Sequence, residues 1–429
     1  LLPWLVSPCP IPTKSNMERV APMSQLNPVS PENLRDPVPL YRELRENHPV
    51  HWVEEIQSWL VTRHDDVINC FRSPDLSADR SKFFELQFRM LGLELKEAQL
   101  LVDTVRRQMV NQDGAAHIRL RRQASVGFMP QLIDSWRPAI RGIMNKLMDE
   151  VQQRGHMDLV QQVSYQLPAQ VIAEVLGIPV EDRESFQEWT QPIFQLSSPT
   201  VGTDMIDLVH RSEAAMHQFD AYLRNLIAER RRNPGPDIIS HMTHFQGPGQ
   251  MSEDELVANS ALILSAGHAT TTDQISNGVY ELLTHPDQLQ LLRSNPNLMK
   301  PAVDEIMRFN PTMPFINRFA IRDFQLRGQT IRAGQMVFLG MASANRDPSV
   351  FEDPDRFDIT RDSTQHKNLS FSFGPHHCLG AVLARHELEL TFEVLLERLP
   401  ALRLDESNPP KLKSDTLLFR GFNSLPLRW

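Results

Sequence analysis

The chain has 429 residues and a formal net charge of −9, with 41% of its residues hydrophobic and 23% charged. That acidic balance argues against a nucleic-acid partner. Three scattered cysteines, Cys9, Cys70 and Cys378, are too few for a disulfide framework, so a reducing cytoplasm is the expected setting. With no Gly/Ser-rich linker and ample apolar material, residues 24–429 are expected to fold as one large domain. Residues 1–23 are expected to stand outside it as a disordered extension or an upstream remnant, with Met17 and Met23 as alternative starts. Pro3, Pro8, Pro10, Pro12 and Pro22 interrupt this segment, and its apolar run from Leu1 to Val6 is far too short to span a bilayer.

Asp36 and Pro37 read as the cap and first position of a short amphipathic helix carrying Leu40, Tyr41 and Leu44 and ending near His48. Val50–Val53 and Trp59–Thr62, with a polar turn between them, predict a β-hairpin, and Asp65 to Cys70 predicts another short helix. Residues 79–110 mix Phe83, Phe84, Phe88, Met90, Leu91 and Leu93 with charges, as core-facing positions of a helical loop would. His117 and Arg121 follow at i, i+4 on one helix face, where they could hold an anion together or form a solvated basic face. From Pro130 to Arg232 the spacing predicts helix after helix, broken at Gly155, Gly177 to Pro179, Ser198-Pro199 and Asn233 to Pro236, with a turn-rich middle from about Glu184 to Val209.

Ser252 and Glu255 form a capping box that opens an apolar-periodic helix running to His285, where Pro286 stops it, roughly 50 Å at 1.5 Å per residue. Its centre, Ala266-Gly267-His268-Ala269-Thr270-Thr271-Thr272, places a glycine and three β-branched hydroxyl residues where good helix formers belong, at a local cost of about 2 kcal/mol. Such a stretch marks either a bulge whose freed carbonyls hold water or ligand, or close packing against another helix at Gly267. Glu305 and Arg308 are spaced for an intrahelical ion pair, and residues 317–339 read as short strands turning at Gly328 and Gly334.

Phe371-Ser-Phe-Gly374-Pro-His376-His377-Cys378-Leu-Gly380 delivers one cysteine to the start of a last helix, which runs to about Leu399. Helix-terminal N–H groups and the dipole would favour a thiolate there, and Gly380 leaves room for something broad and flat against the backbone. A zinc site lacks a second cysteine at ligand spacing. For a lone cysteine the ordinary reading is a small buried hydrophobe, and a nucleophile with His376 or His377 as base also stays open.

The whole string resembles the haem-thiolate signature of the cytochrome P450 family, and the resemblance extends over about residues 25–429. It implies a mainly α fold with small β-sheets, a triangular prism holding haem b between the long central helix and the cysteine helix. Cys378 would be the axial ligand. Phe371 and Gly380 would flank the haem, and His117, Arg121, Arg318 and His376 would bind its propionates. Glu305, Arg308 and Arg356 would interlock beneath it. Ala266, Gly267, Ala269 and Thr270 occupy the oxygen-binding motif, with Ala269 standing where the family has an acid. The missing acid leaves proton delivery open between a groove at Gly267, a substrate hydroxyl, Asp273 one turn on, and ordered water alone. Residues 79–110 and 184–209 would roof the substrate.

A thiolate ligand pushes electron density onto iron and favours O–O cleavage, so the resemblance implies a monooxygenase. No flavin or iron–sulfur motif is present, which implies a ferredoxin and an NAD(P)H-dependent ferredoxin reductase as electron donors. Peroxide-driven oxidation and non-catalytic haem binding are the alternatives. Candidate walls at Phe84, Phe88, Leu262, Ala266, Met313, Phe315, Ile316 and Phe419 are apolar and imply a lipophilic substrate.

Overall fold

Apolar stripes at helical spacing form the helices, and proline or glycine ends them. The computed structural model describes residues 26–81, 88, 91–197, 203–365, 368–413 and 416–429. The expected extension 1–23 and the wall candidate Phe84 lie outside these residues. Helix α1 (Val38–Asn47) starts one residue later than the sequence suggests, with the Val38 N–H donating to Asp36 Oδ1 at 3.3 Å, and it buries Leu40, Tyr41 and Leu44. β1 (Val50–Val53) and β2 (Ser58–Val61) pair antiparallel as expected, the chain reversing through Gln57 at φ 47°.

Next come α2 (His64–Arg72), β3 (Leu76–Ser77), α3 (Gln99–Arg107) and α4 (Gly114–Ser125). A helical stretch then supplies α5 (Arg137–Val151), α6 (Gln166–Leu176), α7 (Arg183–Ser197) and α8 (Met205–Arg232). Helix thus occupies most of the segment expected to be turn-rich. The predicted all-helical run also contains a strand, β4 (His156–Asp158), directly after Gly155. Its partner is the C-terminal β10 (Pro426–Arg428), which also pairs with β7 (Arg403–Leu404), and a pairing that distant in sequence leaves no local periodicity to read.

Helix α9 (Glu253–Thr284) spans 32 residues, opened by the predicted Ser252–Glu255 capping box and buried on nearly every face. α10 (Met299–Phe309), β5 (Phe315–Ala320), β6 (Met336–Gly340) and α11 (Ala381–Arg398) follow. A hairpin of β8 (Lys411–Leu412) and β9 (Phe422–Ser424) lies near the end. The main sheet has the order β1-β2-β6-β5-β3, with β2 and β6 parallel and the other pairs antiparallel. Apolar clusters cover both of its faces, Leu60 and Phe315 on one, Val61, Val337 and Leu339 on the other.

The main core gathers α5, α6, α8, α9, α10 and α11. α9 and α11 touch at Gly278, where a Cβ would run into the Phe392 ring and come within 3.1 Å of Ile306 Cγ2. No helix among the described residues is long and apolar enough to cross a membrane.

Candidate functional site

The cysteine loop is wound tightly before α11 begins. Ser372 and Gly374 take positive φ angles of 57° and 73°, the His377 N–H donates to the Gly374 carbonyl at 3.0 Å, and the Cys378 N–H donates to the Phe371 carbonyl at 2.9 Å. Arg385 places its guanidinium 4.6 Å from the Phe371 ring centroid. Cys378 retains accessible surface, yet burial pushes its thiol pKa up. Together these place the sulfur in a recess of the protein rather than in bulk water. α11 begins three residues past Cys378, so the sulfur lies before the helix's first turn, where the Gly380 N–H bonded to it and the nearby Arg121 and Arg385 favour the anion against burial. A Cβ on Gly380 would meet open space, so the backbone there leaves a flat face uncovered. Among the described residues no His, Cys, Asp or Glu cluster could hold a metal ion.

Beside the loop lies a cluster of cations. The His117 and His376 rings stand 4.0 Å apart, and Arg318 is buried 5.5 Å from the centroid of the Phe71 ring, with Nη1 donating to the Asn317 carbonyl. Arg121 donates to the His377 carbonyl at 2.6 Å, next to the cysteine. The cluster has a member that spacing alone did not single out, Arg80, which donates to the Val110 carbonyl at 3.3 Å. Burial, then mutual repulsion, lowers these groups: His117 to about 4, Arg318 to about 9 against Arg80, and Arg80 itself to about 10 by burial. His376 and Arg121 are lowered by burial as well. The carboxylate recorded against the cluster is Asp113, 3.9 Å from His376 Nε2 and bonded by the Ala78 N–H and the Ser77 hydroxyl. Burial works against its ionisation, but His376 and Ser77 hold it well below the usual carboxylate range. The site carries an excess of positive charge that an anion would relieve.

On α9, Leu262, Ser265, Ala266, Ala269 and Thr270 keep accessible surface while the residues after Thr270 are buried, so one face of the helix opens at its centre. The helix runs through this centre without a bulge. The Thr270 hydroxyl donates to the Ala266 carbonyl at 2.7 Å, so towards the open face it can only accept. Gly267 points elsewhere, since a Cβ there would lie 3.1 Å from Ile172 Cδ1 on α6. It packs against α6 while keeping some accessible surface of its own.

Behind the cysteine loop, Arg308 holds Glu305 in a two-pronged ion pair at 2.7 and 2.8 Å and also donates to the carbonyls of Asn345, Pro354 and Arg356. Arg356 contributes only that carbonyl. Its side chain is 64% exposed and pairs with Asp358, whereas Arg361 approaches Glu305 Oε2 at 3.4 Å. The expected third arginine is thus Arg361, because the loop turns Arg356 into water.

Among the wall candidates, Leu262 and Ala266 lie on the open face of α9. Ile316 shares a strand face with Arg318, and Met313 packs partly buried beside it. Phe88 is buried in the main core, and Phe419 lines a small cleft with Leu34, Tyr41 and Pro314. Phe315 is no wall: fully buried, it turns to the opposite sheet face and packs edge-on to Tyr41 at 5.7 Å.

An accessible cysteine, an uncovered backbone at Gly380 and a cationic cluster short of anions lie together in one part of the fold. The chain belongs to the cytochrome P450 family, whose model matches residues 94–421. It is 36% identical over 408 residues to "Cytochrome P450 CYP107DY1" of Priestia megaterium, covering 93% of this chain and 97% of that protein. It is 35% identical over 402 residues to "Mycinamicin IV hydroxylase/epoxidase" of Micromonospora griseorubida, covering 91% and 94%. A solved structure of P450BioI in complex with hexadec-9Z-enoic acid ligated acyl carrier protein aligns with a TM-score of 0.82 at 32% identity, covering 93% of this chain and all of that one. The fold is the mainly helical P450 fold of the bacterial type, and the protein is a haem-dependent monooxygenase.

Proposed function

We propose that Cys378 Sγ would ligate the iron of haem b and that the open face of α9 would face the bound group. When bound, haem with a thiolate ligand reductively splits dioxygen and places one oxygen atom into a C–H bond or across a C=C bond. His117, Arg121, Arg318 and His376 hold the two propionates, and Arg80 adds charge behind them. The observation that carries this reading is the buried cationic cluster, whose lowered pKa values an anion pair would restore. Each charge-assisted bond to a buried carboxylate is worth about 1.5–3 kcal/mol. Replacing Arg121 and Arg318 together with alanine is expected to raise haem loss to apomyoglobin about a hundredfold. Wild-type retention in the double variant would remove these residues from the haem site.

Thr270 accepts a hydrogen bond from the proton-bearing species on the open face, because its own proton is committed to Ala266. Thr270→Ala is expected to lower the fraction of consumed NAD(P)H recovered as product about tenfold, below the roughly 10²–10⁴-fold rate effect of losing a proton-transfer group because Thr270 only accepts a hydrogen bond. Unchanged coupling would take Thr270 out of proton delivery.

Electrons come from a ferredoxin and its reductase. The partly covered apolar positions Leu262, Ala266, Met313 and Ile316 favour a lipophilic substrate, in line with the complex of P450BioI with hexadec-9Z-enoic acid ligated acyl carrier protein among the similar structures. The test of substrate class is a compound screen for the spin-state shift of the Soret band. Polar ligands giving the strongest shifts would overturn the lipophilic reading.

A further inference from the structure

Ala269 leaves the open face of α9 without the acid that a proton relay needs, and the next side chain on that face is Asp273. At 3.6 residues per turn it lies about 40° around the axis from Ala269 and about 6 Å further along. Asp273 is 1% exposed, so it closes the end of the open face. Its Oδ1 accepts from Lys413 Nζ at 2.6 Å, and Lys413, just past β8, keeps 24% of its side chain in solvent. A pair that begins at a buried helix face and ends in water is a conduit. The opposing residue is Gly421, where any Cβ would run into the Asp273 carboxylate, so the bare backbone makes the space in which this acid sits.

We propose that Asp273, paired with Lys413, is the positioned proton donor for the open face of α9 and takes over from the acid absent at Ala269. This rests on the monooxygenase reading above. The O–H bond of protonated Asp273 breaks and its proton passes to a water in the space beside the Ala269 methyl. That water passes a proton on to the species bonded to Thr270 Oγ1. The carboxylate then regains a proton from the solvent that reaches it past Lys413, whose ammonium orients the carboxylate without carrying the proton, and no electrons move in the relay. Burial raises the Asp273 pKa to about 6 despite Lys413, so the carboxyl exchanges protons near neutrality. Among the described residues Lys413 is the charged group recorded against it; Arg420, on the adjoining loop, turns to Asn310 and to the carbonyls of Leu34 and Arg35.

The test compares variants that break the same ion pair differently in the haem-loaded protein. Asp273→Asn is expected to lower coupling at least about tenfold, less than the roughly 10²–10⁴-fold that a positioned acid contributes to a rate because coupling reads only the share of electrons diverted. Lys413→Met keeps the carboxyl and is expected to lose far less. Gly421→Ala displaces the carboxylate without removing it and is expected to resemble Asp273→Asn. Adding Ala269→Glu to Asp273→Asn restores the acid one turn back and is expected to recover coupling. Equal losses in Asp273→Asn and Lys413→Met would make the pair a structural staple and overturn the proposal.

A second readout needs no turnover. In the resting protein an infrared carboxylic C=O band, absent from Asp273→Asn, should grow as the pH falls through about 6 and shift on mixing with D2O. A band that shifts only on unfolding would also overturn the proposal. Failure of the monooxygenase reading is distinct, since wild type would then form no product while the infrared result still reports on the relay.

Discussion

Cys378→His is expected to move the Soret band of the reduced carbonyl complex to shorter wavelength and to reduce oxygen insertion to background. The Cys378 backbone is held by Phe371 and the loop by Ser372 and Gly374, so the substitution leaves the scaffold in place and changes only the donor atom. A neutral imidazole cannot supply the electron density of a thiolate, and that density drives O–O cleavage. Burial raises the thiol pKa here while the Gly380 N–H, Arg121 and Arg385 lower it, and a bound cation would add to the groups that favour the thiolate. A retained red-shifted band in the variant would mean that another residue ligates iron.

Arg308→Ala is expected to be the most destabilising single substitution away from the haem. Side chains of Arg308 and Glu305 are 2% and 1% exposed, and removing the arginine leaves the buried carboxylate only the Asp358 N–H and the more distant Arg361, and takes the donor from three carbonyls. Breaking a buried pair by deleting one partner costs about 3–5 kcal/mol, a large part of the roughly 5–15 kcal/mol that separates a folded domain from its unfolded chain. Thermal melting of the haem-loaded protein should drop by roughly 5–10 °C. Arg356→Ala, which removes only an exposed ion pair, should stay within about 0.5 kcal/mol of wild type. Equal melting of the two variants would contradict the geometry described for the pair.

The parts of this site legible from sequence are those written in local spacing: the cysteine string, the i, i+3 pair of Glu305 and Arg308, and the capping box that starts α9. Arg80 and Asp113 were not legible as part of the site, because Asp113 meets Ser77 and His376 only once β3 and the cysteine loop are folded together. Arg356 and Arg361 sit in the same loop, and nothing short of its path decides which one turns inward. Phe315 could have been placed better. Strand alternation puts Ile316 on the face of Arg318 and Phe315 on the opposite one, a period-two signal present in the residues themselves.

Gly278 has a bearing on how this scaffold can change over generations. It lies eight residues beyond Thr270, about 12 Å along α9, and its bare backbone seats Phe392 of α11 directly on the central helix. The close approach of α9 to α11 is therefore fixed partly at a contact well away from Thr270. Mutation can reshape the open face of α9 while that contact, and the spacing it supports, is inherited unchanged. A side chain at Gly278 would pry the two helices apart and alter every reaction the enzyme performs at once.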